Sequence, residues 1–246
     1  MDYEPLNQER LQRTAAMFHV KLDEVALERF ALYAKLLQSW NEKINLTAIT
    51  ATDDILIKHF ADSLTVLPLL DLPMGASLID VGTGAGFPGL ALLIARPDLR
   101  VVLLDSTKKK LGVIEDICAQ LGLSPTLLHA RAEEAGHDAA LREQFDAATA
   151  RAVANLRELA EYCLPFVRVG GTFAAMKSTT ADAELEQARP ALKILHASVA
   201  RTETFPLADA GTRTILLFKK NAPLSAKYPR PSAKIAKNPL RYAKTI

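Results

Sequence analysis

Asp80-Val81-Gly82-Thr83-Gly84-Ala85-Gly86-Phe87-Pro88-Gly89 follows the apolar run Ser77-Leu78-Ile79 and leads into a helix-like run at 90 to 95. A strand that breaks into a glycine-rich turn and then a helix is the entry to a doubly wound sheet, whose ligand lies outside the carboxyl ends of the strands. The segment also contains a literal G-x-G-x-x-G from Gly84 to Gly89, with Asp105 further on, as a dinucleotide site would. Two features argue against a pyrophosphate. Asp80, the penultimate residue of the strand, carries a negative charge, which repels phosphate but suits the sulfonium and ammonium of S-adenosylmethionine, directly or through water. Phe87 and Pro88 occupy the start of the helix, where a pyrophosphate would want free N–H groups.

Outward from the loop, strands are predicted at 77–81, 101–105, 126–130, 145–150, 171–177, 194–204 and 213–219, and helices near 88–96, 107–121, 155–167 and 182–193. This alternation predicts a mostly parallel sheet covered on both faces. The link 206–212 is too short for a crossover, so the last two strands form an antiparallel pair. The expected fold is therefore α/β: a Rossmann-like class I S-adenosylmethionine-dependent methyltransferase with a doubly wound seven-stranded sheet and an antiparallel last strand. Before it, residues 1–72 read as a helical extension. One helix follows Asp23 and Glu24 through Leu22, Val25, Leu27, Phe30, Leu32, Leu36, Leu37 and Trp40, and a second is capped at Thr52-Asp53-Asp54 and stopped by Pro68 and Pro73. The expected organisation is 1–72 extension, 73–220 cofactor-binding domain and 221–246 basic tail.

The 246 residues carry 30 Lys or Arg against 28 Asp or Glu and are 49% hydrophobic, the composition of a soluble globular chain. No run approaches a membrane span, and the start has no signal-peptide pattern, so a cytoplasmic location is expected. Cys118 and Cys163 lack metal-ligand spacing and read as buried thiols, and no metal site is expected. Positions 219–246 hold eight Lys or Arg and no acid, leaving a balance of −6 on the rest. A basic tail that includes Tyr228 and Tyr242 is the footprint of a polyanion partner or simply a solubilising segment.

Asp105, at the end of the second strand, either accepts ribose hydroxyls or caps the next helix. The segment 130–134 after the third strand is where adenine contacts fall. At 145–155 the chain has Ala-Arg-Ala-Val in place of the Asn/Asp-Pro-Pro-aromatic pattern of exocyclic-amine methylation, and Cys163 lies inside a helical run rather than in a Pro-Cys nucleophile pair. A ring nitrogen such as guanine N7 already presents a lone pair and needs alignment more than a general base.

Trp40-Asn41-Glu42-Lys43-Ile44-Asn45-Leu46-Thr47, Lys58-His59-Phe60-Ala61-Asp62-Ser63-Leu64, the glycine loop, Asp105-Ser106, Ala150-Arg151-Ala152 and Lys227-Tyr228-Pro229-Arg230 together resemble the bacterial small-subunit ribosomal RNA guanine-N7 methyltransferase G family, also called glucose-inhibited division protein B. The resemblance runs through nearly the whole chain. It implies methyl transfer from S-adenosylmethionine to N7 of one guanine in 16S rRNA, with the 30S subunit as partner. It implies cofactor contacts at Gly82, Phe87, Ala132, Glu133 and Arg151, to which the residue reading adds Asp80, Gly84, Gly86, Asp105 and Ser106. Basic groups resembling its active-site or RNA contacts are Arg131, Lys177, Arg213 and Lys109. Lys58 and His59 are candidates to frame the substrate opening, and Lys227 and Arg230 to meet RNA from the tail. The chain departs from the family pattern at Lys177-Ser178, where Lys-Gly is common, and at Thr107-Lys108-Lys109.

Against these readings stand ordinary ones. Trp40 also suits the core, Asn45 and Thr47 also suit a turn, and His59, Asp62 and Ser63 share a helix face. A nicotinamide oxidoreductase and a non-catalytic RNA-binding module are the alternatives of different class. A monomer is expected, as no exposed heptad or long apolar edge is apparent.

Overall fold

The computed structural model describes residues 3–151, 154–178 and 180–241. Seven strands, β1 (Ser77–Val81), β2 (Arg100–Asp105), β3 (Thr126–His129), β4 (Phe145–Arg151), β5 (Val167–Lys177), β6 (Ala197–Pro206) and β7 (Thr212–Lys220), form one sheet in the order β3-β2-β1-β4-β5-β7-β6. β1 to β5 are parallel, and β7 runs antiparallel between β5 and β6. Strand order reverses between β1 and β4, which opens a crevice at their carboxyl ends, beside the glycine loop.

Period-two alternation divides the core. Leu78, Leu103, Ala147, Ala174 and Leu217 face one side, and Ile79, Leu104, Ala148, Phe173 and Leu216 the other. The first face is covered by α1 (Gln8–Met17), α2 (Glu24–Asn41), a composite helix α3 at 52–64, α4 (Leu67–Leu70), α5 (Gly89–Ala95) and α6 (Lys108–Leu121). The second is covered by α7 (Ala132–Ala135), α8 (Leu156–Cys163), α9 (Ala181–Ile194) and the segment after β7, which ends in α10 (Ser232–Lys237). The amino-terminal helices therefore share a continuous core with the sheet. Leu224, Tyr228 and Leu240 of the tail are buried in the opposite core. No helix among the described residues is long and apolar enough to cross a membrane.

Several local expectations need correction. α1, capped by the Asn7 side chain on the Arg10 N–H, has no counterpart among the two helices assigned to the extension. Asp23 caps α2 as expected, but the buried face of α2 runs through Ala26, Phe30, Tyr33, Ala34 and Leu37, leaving Val25 and Leu32 exposed. Thr52 does not cap α3; its hydroxyl donates to the carbonyl of Glu4. Within α3, residues Ile55–Ala61 are π-helical, a widening that is often found at functional sites. β5 begins at Val167, four residues before the expected start, because Gly170 with φ +77° and an irregular register opposite Phe145 and Ala147 let the glycine pair continue the strand.

Candidate methyltransferase site

The glycine loop turns its polar backbone inward. The N–H groups of Gly82 and Thr83 donate to Leu104 O, those of Gly86 and Phe87 to Thr83 O, and that of Gly84 to Asp105 Oδ2 at 2.8 Å. The Gly89 N–H donates to Asp80 Oδ2 at 3.0 Å. A loop whose donors are consumed in this way does not cradle a pyrophosphate.

Asp80 lies behind that loop rather than at its surface. Its fully buried carboxylate also accepts the Thr149 hydroxyl at 3.1 Å, and burial raises its pKa from 3.8 to about 6. Gly86 likewise faces inward. A Cβ there would collide with the Tyr33 hydroxyl, which donates to Ala85 O, and φ is +96°. Gly84 is different: at φ +60° its missing side chain would meet only Gly82 O at 3.9 Å, so this glycine leaves the crevice open.

Three clefts adjoin along the carboxyl ends of the strands. The first, of about 300 Å³, is lined by Gly82, Asp105, Ser106, Arg131, Ala132, Glu133, Glu158, Tyr162 and Ser232 among others. It shares Gly82, Asp105 and Ser106 with a second cleft that runs over Thr83, Gly84, Phe87 and Lys110. That cleft in turn shares His59 and Arg151 with a third, which holds Lys58, Asp62, Met176, Lys177, Glu184 and Arg213.

In the first cleft, Asp105 Oδ1 accepts the Thr107 N–H at 2.8 Å while Oδ2 holds Gly84, so one carboxylate ties the loops after β1 and β2 together. Each oxygen keeps a second lone pair for a ligand hydroxyl. Among the described residues, three acids, Asp105, Glu133 and Glu158, line this cleft against one cation, Arg131, which is exposed and 3.9 Å from Glu133. These acceptors therefore suit the ribose hydroxyls and adenine amine of S-adenosylmethionine and disfavour a polyphosphate nucleotide.

The third cleft is organised by Asp62. Its Oδ2 accepts Arg151 Nη1 at 2.9 Å and its Oδ1 accepts Arg213 Nε at 2.8 Å. Arg151 also donates to the Lys58 carbonyl at 3.1 Å and lies 5.0 Å from the ring centroid of Phe87. Its Nη2 is 3.1 Å from His59 Nδ1. Since a guanidinium only donates, His59 Nδ1 is the acceptor, and Nε2 carries the proton that it gives to Thr47 Oγ1 at 2.8 Å. Burial and then the Arg151 charge lower the His59 pKa from 6.5 to about 3, so the ring is neutral. It stacks on Phe87 with centroids 4.4 Å apart, and Tyr33 stacks on the same phenylalanine.

Lys177, almost buried, pairs with Glu184 Oε2 at 2.9 Å and donates to Ala154 O at 2.6 Å, while Glu184 also accepts the Leu156 N–H. This cluster fixes the end of the segment that leads from β4 to α8. Ala152 of the Ala150-Arg151-Ala152 motif lies outside the described residues, as do Tyr242 and Lys244 of the tail.

Other candidates lie apart from this crevice. Lys109 sits on the exposed start of α6, in a surface cleft with Lys43, Asn45 and Lys110. Lys227 is exposed, 5.0 Å over the Tyr228 ring. Arg230 is turned inward, paired through Nε and Nη2 with the fully buried Glu161 at 2.8 and 2.7 Å. Trp40 donates to Asp116 at 2.8 Å beside Lys43, and Asn41 Oδ1 caps Leu46 and Thr47. Tyr33, Thr149, Glu158, Tyr162 and Ser232 escape the sequence reading. Only Glu158 and Tyr162 carried a usable signal, one turn apart on a helix that follows the fourth strand.

The model of the family described as rRNA small subunit methyltransferase G matches residues 26–214. A protein named ribosomal RNA small subunit methyltransferase G from Clostridium beijerinckii is 42% identical, covering 94% of this chain and 98% of its own length. One of the same name from Acetivibrio thermocellus is 44% identical over 92% and 93%. Among solved structures, TrmN from Thermus thermophilus aligns with a TM-score of 0.51 at 20% identity, covering 67% of this chain and 53% of its own. A putative methyltransferase from Bacillus halodurans aligns at 0.53 and 13% identity, covering 66% and 100%. These likenesses bear out the Rossmann-like methyltransferase fold. With the family match and the two relatives spanning nearly the full length, the chain belongs to the rRNA small subunit methyltransferase G family.

Proposed function

We propose that this chain, an S-adenosylmethionine-dependent methyltransferase of small-subunit ribosomal RNA, places the methyl on N7 of a guanine in 16S rRNA. S-adenosylmethionine, when bound, supplies an electrophilic methyl on a cationic sulfonium. Asp105, Ser106, Ala132 and Glu133 would hold the adenosyl group, and Gly82, Gly84 and Phe87 would border the remainder. Arg151, Arg213, Lys177 and Lys58 surround the adjoining cleft for the base and its phosphates.

The observation that carries the N7 reading is how the acids and the imidazole of that cleft are engaged. His59 is neutral with both ring nitrogens engaged. Asp62 is divided between two arginines, and Glu184 between Lys177, Leu156 and Thr180. Among the described residues lining the cleft, each carboxylate and the imidazole already accepts from a guanidinium, an ammonium or an N–H. An exocyclic amine must shed a proton on methylation, whereas N7 brings its own lone pair and sheds none. An unstacked purine in a cleft rich in guanidinium matches the way single-stranded RNA is read.

The test is transfer of labelled methyl from S-adenosylmethionine to 30S subunits, and to their naked RNA, from cells lacking this protein, followed by nucleoside analysis. 7-Methylguanosine at one site is expected. Another methylated nucleoside would overturn the N7 assignment, and transfer to neither substrate would overturn the RNA target. A soluble, cytoplasmic monomer acting on the 30S particle is part of the same proposal, checked by its sedimentation with and without subunits.

A further inference from the structure

The chain after β7 looks from its composition like a loose basic arm, yet its backbone is held at several points. Arg142 donates from one guanidinium to four carbonyls: Gly136 at 2.8 Å, Tyr228 at 2.7 Å, and Leu224 and Ser225 at 3.1 Å each. Its neighbour Glu143 accepts the Leu224 N–H at 2.8 Å. His137 lies 2.8 Å from the Pro229 carbonyl, and a Cβ on Gly136 would come within 2.9 Å of the Pro229 ring. The buried Glu161 takes both the side chain and, at 2.9 Å, the main-chain N–H of Arg230.

These anchors belong to the walls of the first cleft. Gly136 and His137 follow directly on α7, which supplies Ala132 and Glu133, and Glu161 sits on α8, which supplies Glu158 and Tyr162. The tail bridges the two helices and contributes Ser232 to the lining itself. Helices of one and two turns have little stability of their own, so their separation depends on what ties them together.

We infer that residues 224–232 are a clasp that sets the width of the adenosyl cleft, with Arg142, Glu161 and Arg230 as positioning residues for cofactor binding rather than part of the RNA-facing surface. The inference rests on the first cleft being the cofactor site. A guanidinium shared among four carbonyls has a fixed planar fork that an ammonium cannot reproduce, so Arg142→Lys loosens the clasp while keeping the charge.

The experiment is calorimetric titration of the full-length protein with S-adenosylhomocysteine, alongside KM for each substrate, at a temperature where circular dichroism shows every variant folded. Arg142→Lys and Arg230→Lys are expected to raise the cofactor-product Kd about tenfold, close to the lower end for one lost hydrogen bond to a charged group, with KM for RNA unchanged. Ser232→Tyr, which fills the cleft at the end of the clasp while leaving the Arg142 and Glu161 contacts in place, is expected to weaken binding as well and serves if the arginine variants melt too early. Lys234→Gln with Lys237→Gln, on the outer side of the same segment, is expected to leave the Kd as it is. Unchanged Kd in Arg142→Lys and Ser232→Tyr would overturn the inference, as would a rise confined to KM for RNA. Absence of binding by the wild-type protein would instead overturn the assignment of the cleft.

Discussion

Arg151, at the end of β4, and Arg213, at the start of β7, are held apart by one carboxylate, with Asp62 accepting from Arg151 at 2.9 Å on one oxygen and from Arg213 at 2.8 Å on the other. Asp62 is thus the pivot of the third cleft, although neither its residue type nor its position on α3 suggests more than a helix-face polar group. Asp62→Asn keeps the shape but loses the charge and one acceptor. Two guanidinium groups then face each other without a counter-ion. The expected outcome is a loss of about 1.5–3 kcal/mol in stability, the range for a hydrogen bond to a charged group, read from urea unfolding. Methyl transfer should fall further than cofactor affinity, because the first cleft does not contain Asp62. Equal losses in both would assign Asp62 to general stability alone.

The buried His59 and Asp80 make opposite contributions to stability against pH. The His59 pKa falls from 6.5 to about 3 on folding, so its contribution is complete above pH 6.5 and is lost as pH drops toward 3. The Asp80 pKa rises from 3.8 to about 6, so its contribution is complete below 3.8 and is lost as pH rises through 6. Between pH 4 and 6 the two largely cancel, each with a limiting slope of about 1.4 kcal/mol per pH unit. Urea unfolding across that window should show His59→Gln gaining stability relative to wild type as pH falls, and Asp80→Asn losing it. Parallel curves for all three proteins would contradict the assigned protonation states.

How much of this was legible follows from the range of each interaction. The βα alternation and the antiparallel end of the sheet are written in local periodicity, and every predicted strand after residue 77 is present, with shifts at some ends. The loop 80–89 identified the crevice, but not which of its residues face it. Asp80 and Gly86 turn inward because Thr149 and Tyr33, 69 and 52 residues distant from their contacts, are waiting there. Arg230 read as an RNA contact because Glu161, 69 residues earlier, gives no local sign of being buried. The clasp of Arg142 spans 86 residues to Tyr228 and leaves no pattern in the sequence.

Gly84 and Gly86 separate two roles within one loop. Gly86→Ala drives a methyl into the Tyr33 hydroxyl at a positive φ, and the expected result is a large fall in thermal stability or insoluble protein. Gly84→Val has room on the protein side and pays only left-handed strain, about 1–2 kcal/mol. Its side chain, however, projects where the cofactor would approach. The folded variant should show no heat of S-adenosylmethionine binding, and an affinity equal to wild type would remove the loop from the cofactor site.

The basic tail divides by side rather than by position. Lys220 and Arg230 are inside, paired with Glu143 and Glu161, while Lys227, Lys234 and Lys237 point to solvent. Truncation before residue 220 would therefore remove buried ion pairs and the clasp together with any RNA contacts, and its effect on RNA affinity would be uninterpretable. Replacing the three exposed lysines with Gln leaves the inner contacts intact. If all three meet phosphate, the salt dependence of RNA affinity falls by about 0.7 per contact on single strands, so the slope of log K against log salt should become shallower by about 2. Filter binding of a 16S rRNA fragment between low and moderate salt measures it. An unchanged slope would leave the tail with the clasp alone, and the RNA-facing charge would then have to come from Lys58, Lys109 and Arg131.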